Sequence, residues 1–286
     1  MSDTSAELPV VRTVSELRQV VAGWRAEGLR IGFVPTMGAL HEGHLSLVRR
    51  GKERADRVVA SVFVNPTQFA PTEDLDRYPR QEAKDAGLLG SAGCDILFAP
   101  SPAGIYPEGF ATSVTVSGVS DPLEGQFRPQ MFGGVAVVVA KLLNMVAADV
   151  ALFGEKDYQQ LLVIRRMARD LDIPTEVIGC PTVREADGLA MSSRNAYLTA
   201  AERTTAASLN RILAHAAARA RFGESVEAVE GDAHGALLAA GFGRVDYVAI
   251  RSAEDLNPFE GAATGAARIL AAAWLGQTRL IDNLQV

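Results

Sequence analysis

The residues best suited to chemistry lie in one short stretch, Pro35-Thr36-Met37-Gly38-Ala39-Leu40-His41-Glu42-Gly43-His44. An apolar run, Ile31–Val34, enters it and a helix-like pattern, Leu45–Arg54, leaves it. This spacing predicts a strand, a tight glycine-bearing turn and a helix start. The first N–H groups of a helix lack intrahelical partners and carry partial positive charge, which suits a phosphate. Two histidines three residues apart project from the same side of that turn. Near pH 7 an imidazole holds either protonation state and can donate a hydrogen bond to a phosphate oxygen. The plain alternative is a helix-face pair, or core histidines bonded to backbone. Only His215 and His234 remain elsewhere, both on expected C-terminal helices, so a three-histidine zinc site is not expected.

Three further polar groups follow apolar runs or a glycine. Gly154-Glu155-Lys156-Asp157 succeeds Val150–Phe153. Lys156 would place a point charge on developing phosphate charge, and Asp157 would meet a ribose or a magnesium ion; alone, the motif is only a polar turn. Gln160 lies one turn beyond Lys156 on the same face, whereas Gln159 points elsewhere. Asn65 and Gln68 follow the run Val58–Val64 and offer uncharged donors, unless they serve turn chemistry alone. Met191-Ser192-Ser193-Arg194, after Gly188, is either a polar interdomain loop or a mobile phosphate clamp whose arginine supplies planar donors.

The elements that must position these groups are legible from periodicity. Thr13–Glu27 carries a helical stripe ended by Gly28. Residues 81–92 form a helix, Cys94–Phe98 a strand, Val135–Val146 a buried helix, Tyr158–Leu171 an amphipathic helix and Thr175–Ile178 a strand. The Gly/Pro-rich stretch Ser101–Gly134, with a strand expected at Thr112–Val116, is a lid or a wall of the site. Such alternation predicts an α/β fold, a parallel sheet with helices on both faces. The polar groups after strands then share the sheet's carboxyl edge, where ligands bind. Composition changes near Val183. A capping-box pattern at Thr199…Glu202 opens a long Ala-rich helix toward Phe222, a second helix covers Ser225–Ala240, and Val245–Ile250, Arg268–Trp274 and Arg279–Ile281 form a small sheet. Two domains are expected, 1–182 and a smaller α+β domain at 183–286, with residues 1–10 as a frayed leader.

A net charge of −6 over 286 residues argues against a general nucleic-acid binder. Arg49, Arg50, Lys52 and Arg54 read as a solvated helix face. The two cysteines, Cys94 and Cys180, form no CxxC and no disulfide framework. The polar N-terminus lacks the pattern of a signal peptide, and no window approaches a membrane span. A cytoplasmic location without membrane or nucleic-acid partners is expected.

Pro35–His44, Phe63–Phe69, Gly154–Gln160 and Asp187–Tyr197 resemble the signatures of the pantoate–β-alanine ligase family; Asp74–Pro79 and Trp274–Asn283 are similar as well. The resemblance covers nearly the whole chain. It implies a Rossmann-like nucleotidylyltransferase domain that binds nucleotide and pantoate, a C-terminal lid domain, and commonly a homodimer. His41-x-x-His44 resembles the HIGH motif, and Met191–Arg194 occupies the place of the KMSKS loop. The implied reaction joins (R)-pantoate and β-alanine with ATP and Mg²⁺, through pantoyl adenylate, releasing pyrophosphate and AMP. By the same resemblance Met37, Gly38, Ala39, Leu40, His41, Glu42, Gly43 and His44 hold ATP. Gly154, Glu155, Lys156, Asp157, Val183, Met191, Ser192, Ser193 and Arg194 make its remaining contacts. His44, His41, Lys156 and Arg194 carry the catalytic roles. Gln68 and Gln160 contact pantoate, Gln68 also serves β-alanine, and Asn65 lines that pocket. No protein metal ligands are assigned. One departure stands out: Met131 replaces the family's usual histidine and offers no strong donor.

Overall fold

The structure, a computed structural model, describes residues 7–70, 73 and 75–286. Leader residues 1–6, and Asp74 of the family-like segment, lie outside the described residues. Strands β1 (Val10–Val11), β2 (Ile31–Thr36), β3 (Arg57–Val62), β4 (Ile96–Phe98), β5 (Val150–Gly154) and β6 (Glu176–Cys180) form one parallel sheet in the order β1-β4-β3-β2-β5-β6. From β2 the chain winds one way through β3 to β4, then the other way through β5 to β6. The order therefore reverses beside the carboxyl end of β2, the kind of switch point where open α/β sheets bind ligands.

Local chemistry explains the flanking helices. Helix α1 (Val14–Ala26) starts at a Thr13/Glu16 capping box, and Gly28 follows its end at φ +75°. Helices α2 (Glu42–Arg54) and α3 (Glu82–Ser91) bury Leu45, Leu47, Val48 and Leu89 with Val34, Val58, Ala60, Leu97, Val150 and Leu152 of the sheet. Strand side chains alternate between faces, so the equally buried Phe33, Val59, Ile96, Phe98 and Ala151 belong to the opposite face. Two short helices, α4 (Pro102–Ile105) and α5 (Glu124–Phe127), precede α6 (Met131–Val146), which is buried nearly all round, as its largely apolar sequence requires, with Lys141 and Asn144 as its polar interruptions. Helix α7 (Tyr158–Asp170) leads to β6.

Beyond β6 come α8 (Ala200–Ala206), α9 (Ser208–Arg221), α10 (Val226–Ala239) and an antiparallel sheet β7-β8-β9 of Arg244–Ser252, Ala267–Leu275 and Thr278–Gln285. The stripes Leu209, Leu213, Ala217 and Val229, Ala233, Leu237 pack with Ile269, Ala271 and Ala273.

Three expectations are corrected. Leader residues 7–10 are not frayed: Leu8 is buried and Val10–Val11 pair with Leu97 and Phe98. No strand forms at Thr112–Val116, because a period-two pattern needs a ladder partner and none is present among the described residues. The Ala-rich helix breaks at Ala207, which ends α8 and caps α9.

Two compact units emerge. The first takes the described residues up to Val116, Gln130–Glu155 and Val163–Cys180; the second takes Ser117–Pro129, Lys156–Leu162 and Pro181–Val286. Among the described residues no helix is long and apolar enough to cross a membrane.

Candidate active site

In the first unit, β2 ends at Thr36, whose hydroxyl donates to Ser61 O on β3 at 2.7 Å and accepts from Gly38 N at 3.2 Å. Gly38 then turns at φ +84°, and a Cβ there would stand 3.0 Å from Asp85 Oδ2 and 3.1 Å from Val62 Cγ1. Asp85, on α3 and 1% exposed, accepts from Ala39 N at 3.0 Å and Leu40 N at 2.9 Å. Two backbone donors that the sequence offers to a phosphate are thus already taken by a protein carboxylate, which shapes the loop. No sequence signal marked Asp85, because it sits beside Glu82 and Lys84 in an ordinary helical pattern. Asp85→Asn keeps one acceptor and turns an amide toward the other N–H. It is expected to lower stability by about 1–3 kcal/mol, the cost of one buried donor left unmade, measurable by urea unfolding. An unchanged midpoint would show that these bonds do not hold the loop.

His41 is the N-cap of α2 and His44 its third residue. His41 Nδ1 accepts from Gly43 N at 3.1 Å, and His44 Nδ1 accepts, more weakly, from His41 N at 3.4 Å. The imidazoles take the places that a Ser/Thr and a Glu fill in an ordinary capping box. Their centroids are 4.2 Å apart. An Nδ1 that accepts a backbone N–H carries no proton, so each ring in this arrangement bears its hydrogen on Nε2. The helix start therefore presents a pair of imidazole donors fixed by backbone.

Asn65 is 1% exposed and spent inside the protein. Its Oδ1 accepts from Tyr106 Oη at 2.8 Å and Thr67 Oγ1 at 3.0 Å, and its Nδ2 donates to Gly134 O at 3.2 Å and Gln68 Oε1 at 3.1 Å. Burial pushes the Tyr106 hydroxyl above its ordinary pKa, against the pull of its bonds to Thr67 and Asn65, which keeps it a donor. With both amide hydrogens committed, Asn65 orients Gln68, whose Nε2 reaches Met37 Sδ at 3.0 Å. The fold thus joins two motifs 31 residues apart. Gly134 permits this: a Cβ there would meet Thr67 O at 2.4 Å and Gln68 N at 2.8 Å. Gly134→Ala is expected to cost about 1–3 kcal/mol through overpacking, read as a lowered Tm; an unshifted Tm would mean that α6 is not pressed on this loop.

In the second unit, Lys156 sits in the 3-10 turn after β5, its Nζ 3.9 Å from the Asp157 carboxylate and its carbonyl accepting from Asn283 Nδ2 at 2.8 Å. Gln159 is buried, accepting from Glu124 N and donating to Val119 O and Pro122 O, while Gln160 beside it is only partly buried. Val183 and Met191 close a short hairpin by Met191 N to Val183 O at 3.0 Å, with Gly188 at φ +91°. Ser192 caps the 3-10 turn Ser193–Tyr197, its Oγ accepting from Arg194 N at 3.3 Å. Each unit therefore gathers its own set. The histidine loop, Asn65, Gln68, Gly154 and Glu155 belong to the first; Lys156, Asp157, Gln160, Val183 and Met191–Arg194 belong to the second. Among the described residues no group of three or more His, Cys, Asp or Glu side chains is arranged to hold a metal ion.

A parallel sheet whose order reverses beside a glycine turn and an imidazole-capped helix is an α/β architecture of the class that binds ligands outside the carboxyl ends of its strands. The family model for pantoate-beta-alanine ligase matches residues 9–285. The pantothenate synthetase of Caulobacter vibrioides is 61% identical over 97% of this chain and 98% of its own. The crystal structure of pantothenate synthetase from Thermus thermophilus matches with a TM-score of 0.90 at 49% identity, covering 97% of this chain and 99% of that one. The pantoate-beta-alanine ligase from Francisella tularensis, complexed with beta-gamma ATP and beta-alanine, matches at 0.82 and 33% identity over 97% of each chain. The chain belongs to the pantoate–β-alanine ligase family.

Proposed function

We propose that this enzyme condenses (R)-pantoate with β-alanine, using ATP carried with Mg²⁺. The pantoate carboxylate attacks the α-phosphorus, an oxygen–phosphorus bond forms, and pyrophosphate leaves. The β-alanine amine then attacks the acyl carbon of pantoyl adenylate, loses a proton, and AMP departs with the bonding electrons. The substrate carboxylate is the nucleophile, so the protein's tasks are positioning and charge stabilisation. The observation that carries this reading is the pair of imidazoles held by their Nδ1 atoms at the switch point of a family fold. His41 and His44 donate through Nε2 to the phosphates, while Lys156, Ser192, Ser193 and Arg194 meet the charge that develops there. Met37–Leu40, Glu42, Gly43, Gly154, Glu155, Asp157, Val183 and Met191 complete the ATP site. Gln68 and Gln160 bind pantoate, with Asn65 behind Gln68. Residues 1–182 act as the nucleotide- and pantoate-binding, Rossmann-like domain and 183–286 as the lid, in a cytoplasmic homodimer. The test separates the half-reactions: ATP, Mg²⁺ and pantoate alone give enzyme-bound adenylate and pyrophosphate, and β-alanine then releases AMP and pantothenate. Absence of pantoate-dependent pyrophosphate would sink the adenylate route, and a monomeric mass by sedimentation would remove the homodimer.

A further inference from the structure

Strand β9 carries two adjacent buried polar residues, Asp282 and Asn283, 3% and 4% exposed. Consecutive strand side chains leave opposite faces, and these two are committed to different segments of the second unit. Asn283 Nδ2 donates to the Lys156 carbonyl at 2.8 Å. Its Oδ1 accepts from Arg268 Nη1 at 2.5 Å, and the Arg268 guanidinium stacks 3.8 Å from the centroid of the Tyr158 ring. Tyr158 in turn donates to Ala253 O at 2.7 Å, so the turn holding Lys156 is gripped at both ends. Asp282 instead receives the forked Arg184 guanidinium at 2.7 and 2.9 Å, and Arg184 also donates to Gly188 O at 3.0 Å in the 183–191 hairpin.

We propose that Asp282 and Asn283 are positioning residues: together they set the Lys156 ammonium and the Ser192–Arg194 donors at a fixed separation. A lysine is a point charge on a flexible stem, so where its ammonium reaches depends on how firmly its backbone is rooted, and Asn283 supplies that root. The hairpin delivers Met191 directly into Ser192, and Asp282 holds the hairpin through Arg184. Neither residue touches a substrate in this scheme. The inference rests on the phosphate roles proposed for Lys156 and Ser192–Arg194.

A double-mutant cycle on pantoate-dependent pyrophosphate release tests it. Asn283→Ala is expected to lower kcat by roughly 10- to 100-fold, the scale of a misplaced catalytic group. In a Lys156→Ala background the same change should cost less than about threefold, because residues acting through one another are not additive. Asp282→Asn should behave likewise against Arg194→Ala. Thermal unfolding accompanies each variant; if Asn283→Ala does not fold, Asn283→Ser carries the cycle. A purely structural role would lower Tm and leave kcat of the folded protein within threefold, which overturns the inference, as do losses that multiply independently. If Lys156→Ala by itself changes kcat less than threefold, the phosphate role of Lys156 falls and this inference falls with it.

Discussion

Lys156→Ala is expected to lower kcat for pyrophosphate release on the order of 10²–10³-fold, the loss associated with one donor aimed at transition-state charge. His44→Ala should fall in the same range, and its KM for ATP should change less than kcat. The two residues differ in how they are held. His44 is fixed by its own ring, whose Nδ1 accepts the N-cap amide of α2, so alanine removes a capping bond together with the Nε2 donor. Lys156 is fixed through its backbone carbonyl, which alanine retains. Lys156→Ala should therefore keep its parent Tm, whereas His44→Ala should lose a few tenths to about 2 kcal/mol of stability, the range for an N-cap deletion. Stopped-assay kinetics and thermal unfolding on the same preparations check both. A fall in kcat under threefold for either residue would show that it does not face the reacting phosphate.

Arg279→Met is expected to be the most destabilising single change in the second unit, at about 3–5 kcal/mol. Glu124, 5% exposed, receives two bonds from Arg279 at 2.8 and 2.7 Å and one from the Tyr247 hydroxyl at 2.8 Å, with Arg128 at 3.6 Å. Arg279 Nε also meets Asp246 at 2.8 Å, where the Trp274 indole donates at 3.0 Å. Methionine preserves much of the side chain's volume but removes the shared guanidinium, leaving Glu124 with Tyr247 and Arg128 and Asp246 with Trp274 and Arg244 Nε at 3.0 Å. Burial alone would raise the Glu124 pKa, but hydrogen bonds and charge from Arg279 outweigh it and hold the carboxyl below its ordinary 4.5. A depressed folded pKa contributes stability that is present above the unfolded value and is lost as pH falls through the folded one. The parent protein should therefore lose this contribution below about pH 4.5. In Arg279→Met the burial effect is opposed only by the weaker pulls of Tyr247 and Arg128, so the deficit should be largest near neutrality and shrink on acidification. Urea unfolding from pH 4 to 8 measures this; a deficit independent of pH would mean that the Glu124 charge is not what Arg279 compensates. Because Glu124 also anchors residues 117–129 to β7 and β9, the variant tests whether that segment folds with the second unit.

Much of this enzyme was determined by short-range sequence features. Strand and helix periods, the Thr199 capping box, Gly28 and the placement of polar residues just after strands depend on neighbours within a few positions, and they set the α/β class and the histidine turn. The family signatures extended that reading to an activity. What only the tertiary structure decided is which polar groups are already satisfied. Asp85 takes two loop amides from 46 and 45 residues away, and Asn283 takes the Lys156 carbonyl from 127 residues away. Nothing in local spacing encodes such partners, because they are selected by burial: a polar group withdrawn from water must find its bond wherever the packed chain supplies one. For the same reason Asn65 proved to be the brace behind Gln68, and the alternating run at Thr112–Val116 formed no strand without a ladder to join. The imidazole turn is written in ten consecutive residues; the carboxylate that shapes its loop lies on another helix.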